Sequence, residues 1–311
     1  MNDINKNENV ISEFLAENSQ DGLRVFVAGG NRPGNDSVYV DEAYKLGQQI
    51  VNLGFKLDFG VSNSGIMGAV ARGVLDGWNQ KQHQQKTPIQ GVTTQAYYDL
   101  YPKDDALIGQ ISNLIFAHTL EERKQKLLDA DFVVFAPGGV GTLDELAYDC
   151  VAMQDGFLPF KPFIFYNIEG YFHHILEFLK EISLKGFADP MPFIVVDDSE
   201  EIGIVLRLIK LRYGAQADGK EAYANVRKLI YDLPYFIKKK TTDKIKIEQI
   251  SAEIDRIRAS GSLEEKLELE DEIEKAYLEK EIERMYNRLA KTGRDTSIIS
   301  DKLTKLKKRR A

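Results

Sequence analysis

Over the first two-thirds of the chain, short apolar runs alternate with longer segments whose apolar residues recur at helical spacing. The apolar runs are Leu23–Ala28, Phe55–Phe59, Ile89–Thr93, Ile111–Ala117, Phe132–Ala136, Pro162–Tyr166 and Phe193–Val196. The helical patterns are Val38–Leu53, Ile66–Leu75, Thr119–Ala130, Leu143–Met153, Tyr171–Leu184 and Glu200–Leu211. Such alternation predicts an α/β fold, with a Rossmann-like doubly wound parallel sheet and helices on both faces.

Near residue 240 the pattern changes to highly charged segments with narrow apolar stripes. Charged residues number 56 in positions 1–240 but 33 in positions 241–311. Two sets recur every three or four residues: Ile247, Ile250, Ile254 and Ile257, then Leu278, Ile282, Met285 and Leu289. They predict a helical hairpin or coiled coil. We therefore divide the chain into a polar leader (1–20), an α/β domain (21–240) and an α-helical tail (241–311).

The tail is nearly neutral, with 17 basic and 16 acidic residues at positions 241–311. A stripe this narrow must pack on something, because an isolated helix of this kind is marginal in water. We expect the tail to contribute to oligomerisation and not to the active site; a flexible charged tail is the alternative. The basic run Lys305–Arg310 favours a solvated helix end over a nucleic-acid contact, because few charges are involved.

The composition of the chain argues against a nucleic-acid-binding protein and against a membrane protein. The net charge of −7 argues against a general nucleic-acid surface, and no apolar run approaches the ~20 residues that a membrane helix needs. Cys150 is the single cysteine, so no intramolecular disulfide forms. The N-terminal residues lack the order of a signal peptide. These features predict a cytoplasmic protein without nucleic-acid or membrane partners.

The segment from Pro137 to Thr142 is the strongest chemical signal in the chain. Gly138, Gly139 and Gly141 lie between the apolar run that ends at Ala136 and a helical pattern. Glycines let backbone N–H groups approach an anion, and the first N–H groups of a helix have no partners within it. This turn predicts a phosphate site. The alternative is a capping box in which Thr142 caps the helix and Glu145 completes the motif.

The preceding helical pattern supplies positive charge. Thr119 and Glu122 form a second candidate capping box, and Arg123 and Lys124 follow. Lys124 shares a helix face with leucines, so it needs an anionic partner or must reach solvent. The functional interpretation is that Arg123 and Lys124 face a phosphate or a reacting ribose.

Two further glycine-rich turns follow the first two predicted strands. One contains Gly29 and Gly30, and the other contains Gly65 and Met67. The carboxyl ends of parallel strands meet at one edge of the sheet, where open α/β sheets bind ligands. The three turns together predict a nucleotide-sized crevice.

These residues resemble the LOG family, the cytokinin riboside 5′-monophosphate phosphoribohydrolases, often mislabelled "lysine decarboxylase". Residues 137–145 match the family motif PGGxGTxxE, Arg123-Lys124 matches its Arg-Lys helix, and residues 65–68 look like its G-[LI]-M-[GE] turn. The resemblance covers about residues 22–213. This chain has Gly60-Val61-Ser62 where the family usually has three glycines.

The resemblance implies hydrolysis of the N-glycosidic bond of a nucleoside 5′-monophosphate, AMP or an N6-modified AMP, to free base and ribose 5-phosphate. It implies that Glu145 stabilises the transition state, that Arg123 and Lys124 assist, and that residues 138–142 hold the phosphate. No metal or cofactor is required, and a homodimer or higher homo-oligomer is implied. The alternative is a non-catalytic nucleotide- or molybdenum-cofactor-binding module of the same fold.

Overall fold

A computed structural model describes residues 22–81, 86–100, 106–212, 219–239, 243–291, 296–297 and 299–300. Seven parallel strands form one sheet in the order β4-β3-β2-β1-β5-β6-β7. The strands are β1 (Arg24–Ala28), β2 (Lys56–Phe59), β3 (Ile89–Thr94), β4 (Asn113–Ala117), β5 (Phe132–Phe135), β6 (Phe163–Tyr166) and β7 (Phe193–Val196). The strand order reverses between β1 and β5, which places a topological switch point at the centre of the sheet.

Helices connect successive strands. They are α1 (Ser37–Asn52), α2 (Gly65–Gln80), α3 (Gln95–Tyr98), α4 (Leu120–Leu128), α5 (Val140–Gln154), α6 (His173–Leu184) and α7 (Ser199–Arg212). Three more follow β7 and α7: α8 (Gly219–Lys238), α9 (Lys244–Ser260) and α10 (Leu263–Lys291). Short 3-10 turns lie at Ile108–Gln110 and Ile168–Gly170. Among the described residues, no helix is long and apolar enough to cross a membrane.

Alternate strand residues pack into two hydrophobic cores, one on each face of the sheet. On one face, Val25 and Val27 of β1 pack with α1, α2, α7 and parts of α8–α10. On the other face, Phe26 and Ala28 pack with residues of α4, α5 and α6. Successive side chains of a strand point to opposite faces of the sheet. Because both faces are covered, a central strand is mostly apolar at successive positions.

The predicted fold class is confirmed, because the sheet is wholly parallel and helices cover both faces. All seven predicted strands lie within two residues of the observed bounds. Helix α8 was not predicted. Pro234 stands inside it, and proline within a helical pattern argues against a continuous helix.

Helices α9 and α10 pack onto the rest of the molecule. Ile247 and Ile254 of α9 are buried, in line with the first predicted stripe. In the second predicted stripe, Leu278 and Met285 are exposed in the single chain, so a seam with another subunit at these positions stays a prediction. The buried positions of α10 are instead Leu269, Ile273, Ala276 and Glu279. From Lys280 onward, basic side chains of α10 make ion pairs with the α/β domain.

An ion-pair cluster joins α7, α8, α9 and α10. Asp232 of α8 is fully buried, and it accepts hydrogen bonds from Arg212 at 3.0 Å and from Arg258 at 2.7 and 2.8 Å. Arg258 also binds Glu270 of α10 at 2.8 Å. A buried carboxylate with two guanidinium partners fixes the mutual register of these helices.

Some predicted features lie outside the described residues. These are the polar leader at 1–20, residues 240–242 where the α/β domain meets the tail, and the basic run Lys305–Arg310.

Candidate active site at the carboxyl edge of the sheet

The glycine loop after β5 ends in a helix that has no side-chain cap. Helix α5 begins at Val140, and its N-cap is Gly139. Within the described part of the chain, the N–H groups of Gly139, Val140 and Gly141 make no hydrogen bond. Unsatisfied N–H groups at a helix N-terminus, together with the helix dipole, form a site for an anion.

The glycines of this loop differ in their surroundings. A Cβ atom on Gly138 would lie 2.1 Å from Oγ1 of Thr142 and 2.8 Å from the backbone nitrogen of Gly30, so packing requires glycine there. A Cβ on Gly139 or on Gly141 would meet nothing within 4 Å. Packing does not explain those two glycines, whereas the approach of a ligand to the backbone does.

The alternative interpretation of Thr142 as a helix cap was wrong. Thr142 is the third residue of α5, is only 4% exposed, and packs beneath Gly138. Because the helix begins three residues earlier than predicted, Glu145 cannot complete a capping box. Its carboxylate is free for other contacts.

Glu145 faces Arg123 in a largely buried position. Oε1 of Glu145 lies 3.9 Å from Nη1 of Arg123, and the two side chains are 14% and 13% exposed. Burial raises the pKa of Glu145 to about 7, against the opposing effect of the Arg123 charge. A carboxyl group that titrates near neutrality suits proton transfer and charge stabilisation.

Backbone carbonyls at the ends of two strands hold Arg123. Its Nη2 donates to the carbonyl of Gly60 at 3.0 Å, and its Nε donates to the carbonyl of Val92 at 3.1 Å. The guanidinium also lies 5.5 Å from the ring centre of Tyr97. A Cβ on Gly60 would lie 2.1 Å from Nη2 of Arg123, so the arginine occupies the space that this glycine leaves.

The next residue, Val61, has φ +58° and is fully buried. A β-branched residue in the left-handed region is strained, and such strain clusters at functional sites. Sequence reasoning gave no indication of this conformation.

Lys124 has the anionic partner that its position required. Its Nζ lies 2.8 Å from Asp144 and 3.7 Å from Glu121, and it lies 4.9 Å from the ring centre of Tyr148. Lys124 thus ties α4 to the first turns of α5. A direct contact of Lys124 with a phosphate stays a prediction.

The three predicted turns meet at this edge of the sheet. The N–H of Gly30 donates to the carbonyl of Pro137 at 3.0 Å, and the carbonyl of Gly30 accepts from Ile66 at 2.9 Å and Met67 at 3.2 Å. Gly65 has φ +62°, and a Cβ there would lie 2.4 Å from the nitrogen of Arg32. A Cβ on Gly29 would lie 2.9 Å from Cγ2 of Ile66. The residues of the three predicted turns therefore lie together at one edge of the sheet.

Two contacts at this edge were missed from the sequence. Tyr171 donates a hydrogen bond from its hydroxyl to the carbonyl of Gly138, and Tyr97 packs on Arg123. The sequence placed Tyr171 at the start of a helical pattern and Tyr97 in none, and neither residue was marked as part of a site. No group of three or more His, Cys, Asp or Glu residues suited to a metal ion occurs among the residues that the structure describes.

Comparisons with known proteins give a consistent family. Residues 67–203 match the family model described as "Possible lysine decarboxylase". The probable cytokinin riboside 5′-monophosphate phosphoribohydrolase LOGL1 of Oryza sativa subsp. japonica is 30% identical over 166 residues, 53% of this chain and 68% of that protein. The cytokinin riboside 5′-monophosphate phosphoribohydrolase LOG2 of Arabidopsis thaliana is 26% identical over 189 residues, 60% of this chain and 82% of that protein.

Solved structures also match at low identity. The molybdenum cofactor binding protein of the phototrophic bacterium Rippkaea orientalis is 20% identical and has a TM-score of 0.42, covering 62% of this chain and 98% of that chain. The molybdenum cofactor carrier protein of Chlamydomonas reinhardtii is 19% identical with a TM-score of 0.39, covering 58% and 92%.

Proposed function

This chain belongs to the LOG family of cytokinin riboside 5′-monophosphate phosphoribohydrolases, and from that premise we propose that it hydrolyses the N-glycosidic bond of a nucleoside 5′-monophosphate. The proposed substrate is AMP or an N6-modified AMP. The products are the free base and ribose 5-phosphate.

One observation carries this proposal above all. The helix whose free N–H groups offer an anion site also carries, less than two turns further on, a buried carboxyl group with a pKa of about 7. A phosphate on the N–H groups of residues 139–141 would anchor the ribose beside that carboxyl group. Anchoring a distant group of the substrate in this way orients the reacting carbon.

In the proposed reaction, the bond between C1′ of the ribose and the base nitrogen breaks, and its electron pair leaves with the base. The sugar then carries positive charge in an oxocarbenium-like transition state, which the Glu145 carboxylate stabilises. A water oxygen bonds to C1′, and Glu145 orients that water and accepts its proton. The departing base nitrogen takes a proton from solvent, so atoms and charge balance.

Arg123 and Lys124 have supporting roles in this proposal. The carbonyls of Gly60 and Val92 fix the guanidinium of Arg123, which keeps a cation beside Glu145. That cation favours the ionised form of Glu145 and can hold ribose oxygens. Lys124 acts through Asp144 and holds α4 against the start of α5.

The test is incubation of the purified chain with a panel of nucleoside 5′-monophosphates and the matching nucleosides, followed by chromatography for free base. We expect base release from AMP or N6-modified AMP, and much slower release from nucleosides that lack the phosphate. If adenosine is cleaved as well as AMP, the phosphate anchor is wrong. Binding of AMP without release of base from any member of the panel would identify a non-catalytic nucleotide-binding module instead.

We also propose a homodimer or higher homo-oligomer for the full chain. Light scattering of the purified protein tests this directly, and a monomeric mass at working concentration would contradict it.

A further inference from the structure

Tyr171 contacts the proposed phosphate loop from the neighbouring β6–α6 segment, defined here as residues 167–172. Its hydroxyl donates a hydrogen bond to the carbonyl of Gly138. Its ring packs edge-on against Tyr39 at 6.0 Å and Phe172 at 5.0 Å, measured between ring centres. The ring of Tyr171 thus packs against two aromatic neighbours while its hydroxyl reaches the loop.

The geometry of the peptide unit gives this bond a consequence for the anion site. The carbonyl of Gly138 and the N–H of Gly139 belong to one planar trans peptide and point in opposite directions. A donor that holds the carbonyl on one side therefore directs the N–H of Gly139 to the other side. That N–H is one of those that make no hydrogen bond among the described residues.

The β6–α6 segment itself has a conformation that needs support. Glu169 has φ +54°, which is uncommon for a residue other than glycine. The side chain of Asn167 braces the segment within the α/β domain, because its Oδ1 accepts from the N–H of Phe172 and its Nδ2 donates to Asp197, both at 2.9 Å.

The last turns of α10 bind the same segment and the start of α6. Nζ of Lys291 donates to the carbonyl of Glu169 at 3.0 Å and also binds the Glu169 carboxylate. Arg288 lies 3.0 Å from Nε2 of His173 and 3.2 Å from Glu177. One helix of the tail therefore holds both the strained residue and the helix that follows Tyr171.

Upstream on α10, two further cations anchor the helix to the end of β7. Lys280 lies 3.0 Å from Asp197 and also pairs with Glu201. Arg284 lies 3.1 Å from Asp197 and donates to the carbonyl of Val195. These contacts fix the position from which Lys291 reaches Glu169.

We propose that Tyr171 is a positioning residue that orients the Gly138–Gly139 peptide for phosphate binding, and that α10 fixes Tyr171 by holding Glu169 through Lys291. This inference rests on the proposed function for its substrate, but its central claim concerns binding of a phosphate group. This proposal differs from the sequence-based expectation that the tail contributes to oligomerisation and not to the active site, because it connects α10 to the glycine loop through Glu169 and Tyr171.

The first test is Tyr171→Phe, which removes only the hydroxyl group. We expect the Kd for ribose 5-phosphate, measured by calorimetry, to rise about fivefold, the scale of one lost hydrogen bond. KM for the monophosphate should rise by the same factor while kcat changes little. Tyr44→Phe is the matched control, because it loses a hydroxyl bond to Asp76 at 2.8 Å between α1 and α2. Its Kd should equal that of the wild type.

The second test separates the role of α10 from general stability. Lys291→Met keeps the aliphatic length and removes the charge, and we expect a Kd about twofold higher, because an exposed ion pair is weak. The increase should vanish in the Tyr171→Phe background, since the effect passes through that tyrosine. Lys275→Met is the control on the same helix, because it breaks an exposed pair with Asp271.

The binding readout distinguishes failure of this inference from failure of the proposed function. An unchanged Kd in Tyr171→Phe overturns the inference, even if the wild type releases base. Additive effects of Lys291→Met and Tyr171→Phe overturn the part played by α10. A wild type that binds ribose 5-phosphate but releases no base overturns the proposed function and leaves the inference to be judged by the same Kd values.

Discussion

Helices α4 and α5 carry the same four-residue pattern near their beginnings, Thr-x-x-Glu, and use it differently. In α4, Thr119 accepts from the N–H of Glu122 at 3.0 Å, and Glu122 accepts from the N–H of His118 at 2.8 Å. In α5, Thr142 is buried inside the helix and Glu145 faces Arg123. The pattern in α4 caps the N-terminus of the helix, whereas the pattern in α5 leaves the N-terminus without a side-chain cap.

The difference comes from the residues in front of each pattern. Before Thr119 the chain is an ordinary strand end, so the threonine becomes the N-cap. Before Thr142, Gly138 and Gly139 let the chain turn earlier, and the helix starts at Val140. A capped end contributes stability, whereas an uncapped end keeps N–H groups available for a ligand. The comparison separates a capped helix start from an uncapped one, and we propose ligand binding only for the uncapped one.

The largest expected effect is on turnover, through Glu145 of the uncapped helix α5. Glu145→Gln keeps the size of the side chain and removes its charge, so we expect turnover to fall by at least ~100-fold, the scale of one charge-stabilising group. The monophosphate should still bind. Glu122→Gln is the matched change in the capped helix α4 and should leave turnover near that of the wild type. Equal losses in the two variants would remove the distinction between the helices.

The next prediction concerns pH. Because burial raises the pKa of Glu145 to about 7, and because the proposed reaction uses its carboxylate, kcat/KM should rise with pH through that value. Between pH 8 and pH 6 we expect about a tenfold fall, as the ionised fraction decreases. Measured pH profiles of the wild type and of Glu145→Gln test this. A low-pH limb that persists in the variant would assign the ionisation to another group.

A smaller effect is expected at the open N-terminus. Gly141→Ala places a methyl group where no protein atom lies within 4 Å, so the unliganded helix should tolerate it or gain about 0.5–1 kcal/mol. The methyl group would compete with the phosphate in the proposed complex, and we expect KM to rise several-fold with no loss of thermal stability. Gly109→Ala also points into open space and serves as the control. Unchanged phosphate affinity in Gly141→Ala would place the anion elsewhere.

The smallest expected effect is on stability, at the capped N-terminus of α4. Thr119→Ala removes the cap of α4 and should cost about 1 kcal/mol of unfolding free energy, measured by denaturant titration. Thr142→Ser is the comparison for Thr119→Ala. Thr142 is not a cap, and the variant keeps its buried hydroxyl. A loss in Thr119→Ala that is accompanied by a change in KM would show that α4 capping also serves the site.

The order of strands and helices could be predicted because central parallel strands are buried on both faces and stand out as apolar runs. The turns with Gly30, Gly65 and Gly138 could be placed together for the same reason, since strand carboxyl ends meet at one edge. Arg123 and Glu145 could be paired through the family resemblance, and the structure puts them 3.9 Å apart.

Other features depend on contacts between segments distant along the chain. The start of α5 was misplaced because the threonine pattern competes with the glycines before it. Leu278 and Met285 mark an apolar stripe that faces solvent, whereas the basic residues Lys280 and Arg284 make the contact with the domain. The hydroxyl of Tyr171 and the positive φ of Val61 serve neighbours that no local pattern reveals.

The bond between Lys291 and Glu169 spans 122 positions of the chain. During synthesis at about 5–20 residues per second, the second partner follows the first by roughly 6–24 s. The α/β domain can therefore leave the ribosome and begin to fold while Glu169 still lacks this support. A nascent chain in that interval would have its sheet before Lys291 can hold Glu169, so the last, about twofold, gain in affinity for the proposed ligand should follow the synthesis of α10.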